Sequence, residues 1–149
     1  QGSSTFWDRS PLYALRGAFA AGHADAALSQ LHNYSERRLL GTHVPYPVEA
    51  YPEGSQRHLS GESALYCRVI TEGLYGIRPC GFDSFNLKIR MPSVWDEMAL
   101  NHVKAFGKDF DIKVKRLDGQ RLRIGISCDG RLREYSVKSG QEIKNISLR

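Results

Sequence analysis

Between Thr42 and Leu59 the chain carries two carboxylates, Glu49 and Glu53, beside two tyrosines, Tyr46 and Tyr51, and the polar side chains of His43, Gln56, Arg57 and His58. A third carboxylate, Glu62, opens the segment that follows. A carboxylate held where it can keep a water molecule in place is the equipment of a general base. Tyrosine rings offer apolar stacking faces with a polar edge, and His, Gln and Arg side chains supply donors for hydroxyl groups. Each residue also has a plainer use. Glu49 and Glu53 read equally as solvated loop glutamates, Tyr46 and Tyr51 as packing for the loop, and the four polar side chains as a capping network. Glu62, in the first turn of a helix, offsets the positive end of the helix dipole.

Other chemistries find little support. His43 and His58 have no partner at a metal-ligand interval, and the cysteines Cys67, Cys80 and Cys128 show no C-x-x-C spacing, so no metal is expected. No Ser-His-Asp or Cys-His arrangement stands out, and Gly73-Leu74-Tyr75-Gly76 is too sparse for a phosphate loop. The spacing therefore calls for no cofactor.

The elements that must position these residues fall into two halves. Pro45, Pro47 and Pro52 exclude a helix from Thr42–Leu59, which makes it a long ordered loop of the kind that binds or catalyses. Before it, residues 11–40 read as an antiparallel helical hairpin. Pro11 suits a first turn, Gly22-His23 is the break, Ala27, Leu31, Tyr34 and Arg38 follow a helical period, and Gly41 suits the end. After the loop, Ser60 is a good N-cap for a helix that runs through Tyr66, Val69, Ile70 and Leu74 to Ile77, where Pro79 stops it.

Beyond Pro79 the period changes to two, in Phe85–Ile89, Val103–Phe106, Phe110–Val114, Leu122–Ile126 and a run around Ile143 and Ile146. Asp118-Gly119, Asp129-Gly130 and Ser139-Gly140 supply turns, and Gly125 suggests a bulge. Five or six short strands with tight turns predict an antiparallel β-sandwich or meander. The fold class is α+β by segment, with helical hairpins over 1–79 and an antiparallel β domain over 80–149. Trp95, Phe82, Phe85, Phe106 and Phe110 are expected to fill an interface between the two.

The 149 residues, 41% apolar and 25% charged, have globular composition with a net charge of +5. Residues 1–80 hold seven Lys/Arg against seven Asp/Glu, and residues 81–149 fourteen against nine, so the excess lies wholly in the β half. There the basic residues alternate with apolar ones, as in Ile112-Lys113-Val114-Lys115, which is the wet face of half-buried strands rather than a nucleic-acid surface. No apolar run approaches the roughly 18 residues of a membrane span, and Gln1-Gly2-Ser3-Ser4 lacks the regions of a signal peptide. Neither nucleic acid nor membrane is an expected partner.

The run His43-Val44-Pro45-Tyr46-Pro47-Val48-Glu49-Ala50-Tyr51-Pro52-Glu53-Gly54, then Leu59-Ser60, then Glu72-Gly73-Leu74-Tyr75-Gly76-Ile77-Arg78-Pro79, resembles the C-terminal end of bacterial six-hairpin glycosidases, with α-L-rhamnosidase-type enzymes the nearest in look. In that family the last hairpin of an (α/α)6 toroid ends in a Gly-Ile-x-Pro step, here Gly76 to Pro79, and leads into a β-sandwich with a proline-then-tryptophan element, here Met91-Pro92-Ser93-Val94-Trp95. The pattern differs in that Val48-Glu49-Ala50 stands where the rhamnosidase-like sequences have Trp-Glu, and Leu59-Ser60 where they have Asn-His.

The resemblance implies hydrolysis of a glycosidic bond by two carboxylates, an acid on the leaving oxygen and a base on water, about 6.5–9.5 Å apart in inverting enzymes. The base would be Glu53, Glu49 or Glu62. His43, Tyr46, Tyr51, Gln56, Arg57 and His58 would contact an oligosaccharide or glycan. The acid would belong to an earlier hairpin, so this chain is expected to be the C-terminal portion of a longer enzyme, inactive alone and partnered by the rest of the toroid. A secreted or periplasmic location follows from the same resemblance. The alternative is a non-catalytic carbohydrate-binding or structural module.

Overall fold

The computed structural model describes residues 6–40, 46–51 and 60–149. The chain divides into two compact units, Gln1–Leu74 and Tyr75–Arg149. No helix among the described residues is long and apolar enough to cross a membrane.

In the first unit, helix α1 spans Arg9–Ala21 and α2 Ala24–Arg38. Leu12, Leu15 and Phe19 form the buried stripe of α1, and Ala27, Leu31 and Tyr34 that of α2, at spacings of three and four. Gly22, at φ 95°, ends α1: its N–H donates to the Phe19 carbonyl at 2.9 Å, and that of His23 to the Ala18 carbonyl at 3.0 Å. The hairpin is antiparallel, because Tyr34 and Arg38 near the end of α2 reach Asp8 at the start of α1. α2 ends at Leu39, ahead of the Gly41 expected from sequence, which lies outside the described residues.

Helix α3 spans Ser60–Arg68 and continues as a π-helical turn, Val69–Leu74. Arg9 meets Glu62 and Arg16 meets Glu72, so α3 runs parallel to α1 and the order is up, down, up. The wide turn buries Val69, Gly73 and Leu74 together and brings Gly73 so close to α1 that a Cβ there would lie 3.2 Å from the Phe19 Cβ. The sequence period predicts a regular helix reaching Ile77. The helix ends at Leu74 instead, just ahead of Gly76 at φ 63°, and Ile77–Pro79 joins a sheet. Two short strands, β1 (Phe6–Trp7) and β2 (Ala50–Tyr51), pair antiparallel and tie the loop to the start of α1.

The second unit consists of two antiparallel sheets. β3 (Ile77–Pro79), β4 (Ser84–Leu87) and β9 (Ile143–Ser147) form one in the order β3-β4-β9. β5 (Glu97–Ala105), β6 (Lys108–Arg116), β7 (Arg121–Cys128) and β8 (Arg131–Lys138) form a meander. Asp129 and Gly130 both take positive φ and close the β7–β8 hairpin as the sequence predicts. Phe106-Gly107 closes β5–β6 in the same way. An aromatic residue at φ 57° is costly, and the ring of Phe106 is held by stacking on Phe85 at 5.4 Å. Phe85, on β4, also stacks on Phe110 of β6 at 5.5 Å, which joins the two sheets.

Two sequence expectations change here. Gly125 sits in regular register between Lys113 and Glu134, and the irregular pairings fall between Leu100 and Val103 and between Phe85 and Leu87. The glycine serves instead to admit Leu132, whose Cδ1 lies 3.3 Å from where its Cβ would be. Phe82 is fully exposed, and Phe85, Phe106 and Phe110 pack on one another within the β unit. The Met91–Trp95 element is a turn in which the Trp95 N–H donates to the Pro92 carbonyl. Arg116 clamps it by donating to the carbonyls of Trp95 and Pro92 at 3.1 and 2.8 Å.

Gly76, at φ 63°, passes so near β4's continuation that a Cβ would lie 2.1 Å from the Lys88 carbonyl oxygen. Since that atom is backbone, it cannot yield by a rotamer change. Gly76→Ala should therefore lower stability by at least about 2 kcal/mol in chemical denaturation, against no more than about 0.5 kcal/mol for Gly119→Ala, where no atom lies within 4 Å.

Candidate functional site

Charge collects at the end of the helical unit where α1 begins. Asp8, immediately before α1, is fully buried and its side chain makes no cap to its own helix. It turns toward α2, where the Tyr34 hydroxyl donates to Oδ2 at 3.1 Å and Arg38 Nε donates to Oδ1 at 3.0 Å. Tyr34 and Arg38, four residues apart, share a face of α2. Asp8 also fixes the loop, since its N–H donates to the Glu49 carbonyl at 3.2 Å. Burial, followed by the negative charge of Asp8, raises the pKa of the Tyr34 phenol well above its ordinary value.

Glu62 forms the second part. Its carboxylate is fully buried on the first turn of α3, and Arg9 donates to Oε1 through both Nε and Nη2, at 3.0 and 2.8 Å. The other oxygen, Oε2, has no hydrogen-bond partner among the described residues. A buried carboxylate oxygen without a partner is rare in a folded chain, because its desolvation is left uncompensated. Glu62, with a smaller contribution from Glu49, raises the pKa of the Arg9 guanidinium further above its usual value. The rings of Tyr34 on α2 and Tyr66 on α3 stack at 6.1 Å. Ser35 gives its proton to the Leu31 carbonyl, so Tyr66 is the donor in its 2.8 Å bond to the Ser35 hydroxyl.

The structure thus brings Glu62 and Glu49 to one end of the three helices, with the half-buried Tyr46 on the same loop. Tyr51 is paired through its backbone with Phe6. His43, Glu53, Gln56, Arg57 and His58 lie outside the described residues. Among the described residues no group of three or more His, Cys, Asp and Glu side chains is arranged to hold a metal ion.

No family model, curated protein or solved structure matches this chain. Sequence reasoning missed Asp8, Arg9, Tyr34 and Arg38 as parts of it. The available signal was Arg38 on the inward stripe of α2, a cation that needs a buried acid, together with Asp8 directly before a helix.

Two expected outcomes follow from these contacts. Arg9→Met leaves the Glu62 charge buried and uncompensated and should lower stability by about 3 kcal/mol. Arg68→Met, at the more exposed Arg68–Glu72 pair, should cost less than about 1 kcal/mol in the same urea titration. The raised pKa of Tyr34 means that the folded chain keeps a proton the unfolded chain gives up, so stability is full below about pH 10 and falls as pH rises beyond it. Unfolding free energies measured from pH 8 to 11 should fall more steeply for the native chain than for Tyr34→Phe.

Proposed function

We propose that this chain is the C-terminal portion of a glycoside hydrolase, supplying the last helices of an (α/α)6 toroid and the β-sandwich behind it. The observation that carries the reading is the buried Glu62 carboxylate, clamped through one oxygen by Arg9 and without a hydrogen-bond partner among the described residues at the other, at the end of the helices where Glu49 also acts on Arg9. Toroid glycosidases of the kind the sequence resembles hold their carboxylates in such loops, and a buried charge with spare bonding capacity is a common mark of a working site. The up-down-up helices support the hairpin reading, and the two sheets joined by Phe85 on Phe110 support the sandwich.

In this reading one of Glu49, Glu53 and Glu62 draws a proton from water as the water attacks the anomeric carbon. An acid on an earlier hairpin protonates the departing oxygen. The substrate is an oligosaccharide or glycan, met by Tyr46 and Tyr51 as stacking faces and by His43, Gln56, Arg57 and His58 as donors, and it is reached outside the cytoplasm. One observation favours the alternative of a non-catalytic carbohydrate-binding or structural module: both buried carboxylates, Asp8 and Glu62, already hold an arginine.

The test is hydrolysis of an aryl glycoside panel by the full gene product, with Glu49, Glu53 and Glu62 changed singly to Gln. The hydrolase reading expects turnover by the parent and a loss of roughly a thousandfold or more in one variant. Absence of turnover across the panel, or three variants as active as the parent, would overturn it in favour of the module.

A further inference from the structure

The register of the β5–β8 meander sets like charges against one another, which the linear sequence does not show. Leu122, Ile124 and Ile126 of β7 are buried, so Arg121, Arg123 and Gly125 stand on the opposite, outward face of the sheet. Residues directly opposite share a face, and Arg121 stands opposite Lys138 of β8 while Arg123 stands opposite Lys115 of β6. Lys113, two residues before Lys115 on the same face, is opposite Gly125, which has no side chain to screen it. Like charges directly across a ladder repel, and here two such pairs occupy adjacent rows. Lys113, Lys115, Arg121, Arg123 and Lys138 are all exposed.

Arg121 is compensated locally. Its Nε donates to Asp118 in the β6–β7 turn at 2.7 Å, and this bond, with the N–H groups of Gln120 and Arg121, lowers the pKa of that carboxyl to about 2. Lys113, Lys115, Arg123 and Lys138 have no ion-pair partner among the described residues. The acids on this part of the face are Glu97 of β5, opposite Lys115, and Glu134 of β8, opposite Gly125, and neither closes an ion pair with the cations beside it. Facing side chains lie about 5 Å apart across a ladder, and alternate ones about 7 Å apart along a strand. Uncompensated positive charges repeated at that spacing on an open face attract an anion that carries several charges in a row.

The makeup of the patch selects the polymer. None of the outward positions in these rows of β6, β7 and β8 is aromatic, so no platform is present for a stacked base. An open sheet face also presents no helix or ribbon to enter a nucleic-acid groove. We propose that this face binds an acidic polysaccharide, whose carboxylate or sulfate groups are met by Lys113, Lys115, Arg123 and Lys138. The surface is independent of the hydrolase reading, because its test reads binding and not turnover, and either stands if the other fails.

Fluorescence anisotropy of labelled polymers mixed with the whole chain tests this. The probes are an oligogalacturonate, dextran sulfate, neutral dextran and a DNA duplex, each at about 50 mM and about 200 mM salt. At the lower salt one or both acidic polysaccharides should bind, with affinity falling at least about tenfold at the higher salt, and neutral dextran should not bind. Tighter binding of the oligogalacturonate assigns the face to carboxylates, and tighter binding of dextran sulfate assigns it to sulfates. The triple variant Lys113→Gln/Lys115→Gln/Arg123→Gln should weaken binding at least about tenfold. Arg37→Gln/Arg78→Gln/Lys144→Gln removes the same charge at exposed positions off this face and should bind within about twofold of the parent. Lys113→Arg/Lys115→Arg, which keeps the charge, should also stay within about twofold and shows that the positions tolerate exchange. The proposal is overturned if neither acidic polysaccharide binds at low salt, or if the two triple variants weaken binding equally, which would mean attraction to net charge alone. It is also overturned if the DNA duplex binds more tightly than both polysaccharides, which would make this a nucleic-acid surface.

Discussion

The helical unit is organised around one buried carboxylate. Asp8 stands before α1 without capping it, and its two oxygens accept from Tyr34 and Arg38, both near the end of α2. A carboxylate in that setting must be compensated or protonated, so α2 has to present both donors at its final turns, and this sets the hairpin antiparallel and in register. The same residue hands its N–H to the Glu49 carbonyl, so the loop is fixed to the ion pair and not merely laid against the helices. Arg9, the next residue along, reaches Glu62, and the start of α3 is thereby brought to the same end.

Two neighbouring residues in the sequence thus draw both other helices to one point. The polar end this creates differs from the opposite flank of the unit, where Phe19 and Gly73 meet by close packing. Packing there tolerates no side chain on Gly73 without a neighbour giving way, while at the charged end one carboxylate oxygen has no partner among the described residues. Uncompensated polarity is tolerated in a folded chain where it serves a ligand or a reaction, and the proposed function places its chemistry at that end for this reason.

Much of the fold was legible because it depends on local period and punctuation. The stripes of α1 and α2, the glycine stop at Gly22, the Asp129-Gly130 turn and five of the strands are written in spacings of three, four or two. What escaped depends on contacts distant in sequence. β8 was not singled out because arginines occupy its first inward positions, where an apolar alternation was sought. The π-helical turn answers to Phe19, some fifty residues earlier, and Phe106 accepts a positive φ because Phe85 holds its ring. At the candidate site the loop carboxylates were visible by type, whereas Asp8 and Arg9 were not, since their partners lie at separations of 26 to 53 residues.

The Asp8–Arg38 pair acts as a unit that fixes this end of the helices. A double-mutant cycle on the whole chain, with Asp8→Asn, Arg38→Met and both together followed by urea denaturation, measures it. A coupling of at least about 2 kcal/mol is expected, the double variant being far less damaged than the sum of the single ones. A coupling below about 0.5 kcal/mol would show that the two charges contribute independently, and the organising role assigned to Asp8 would be wrong.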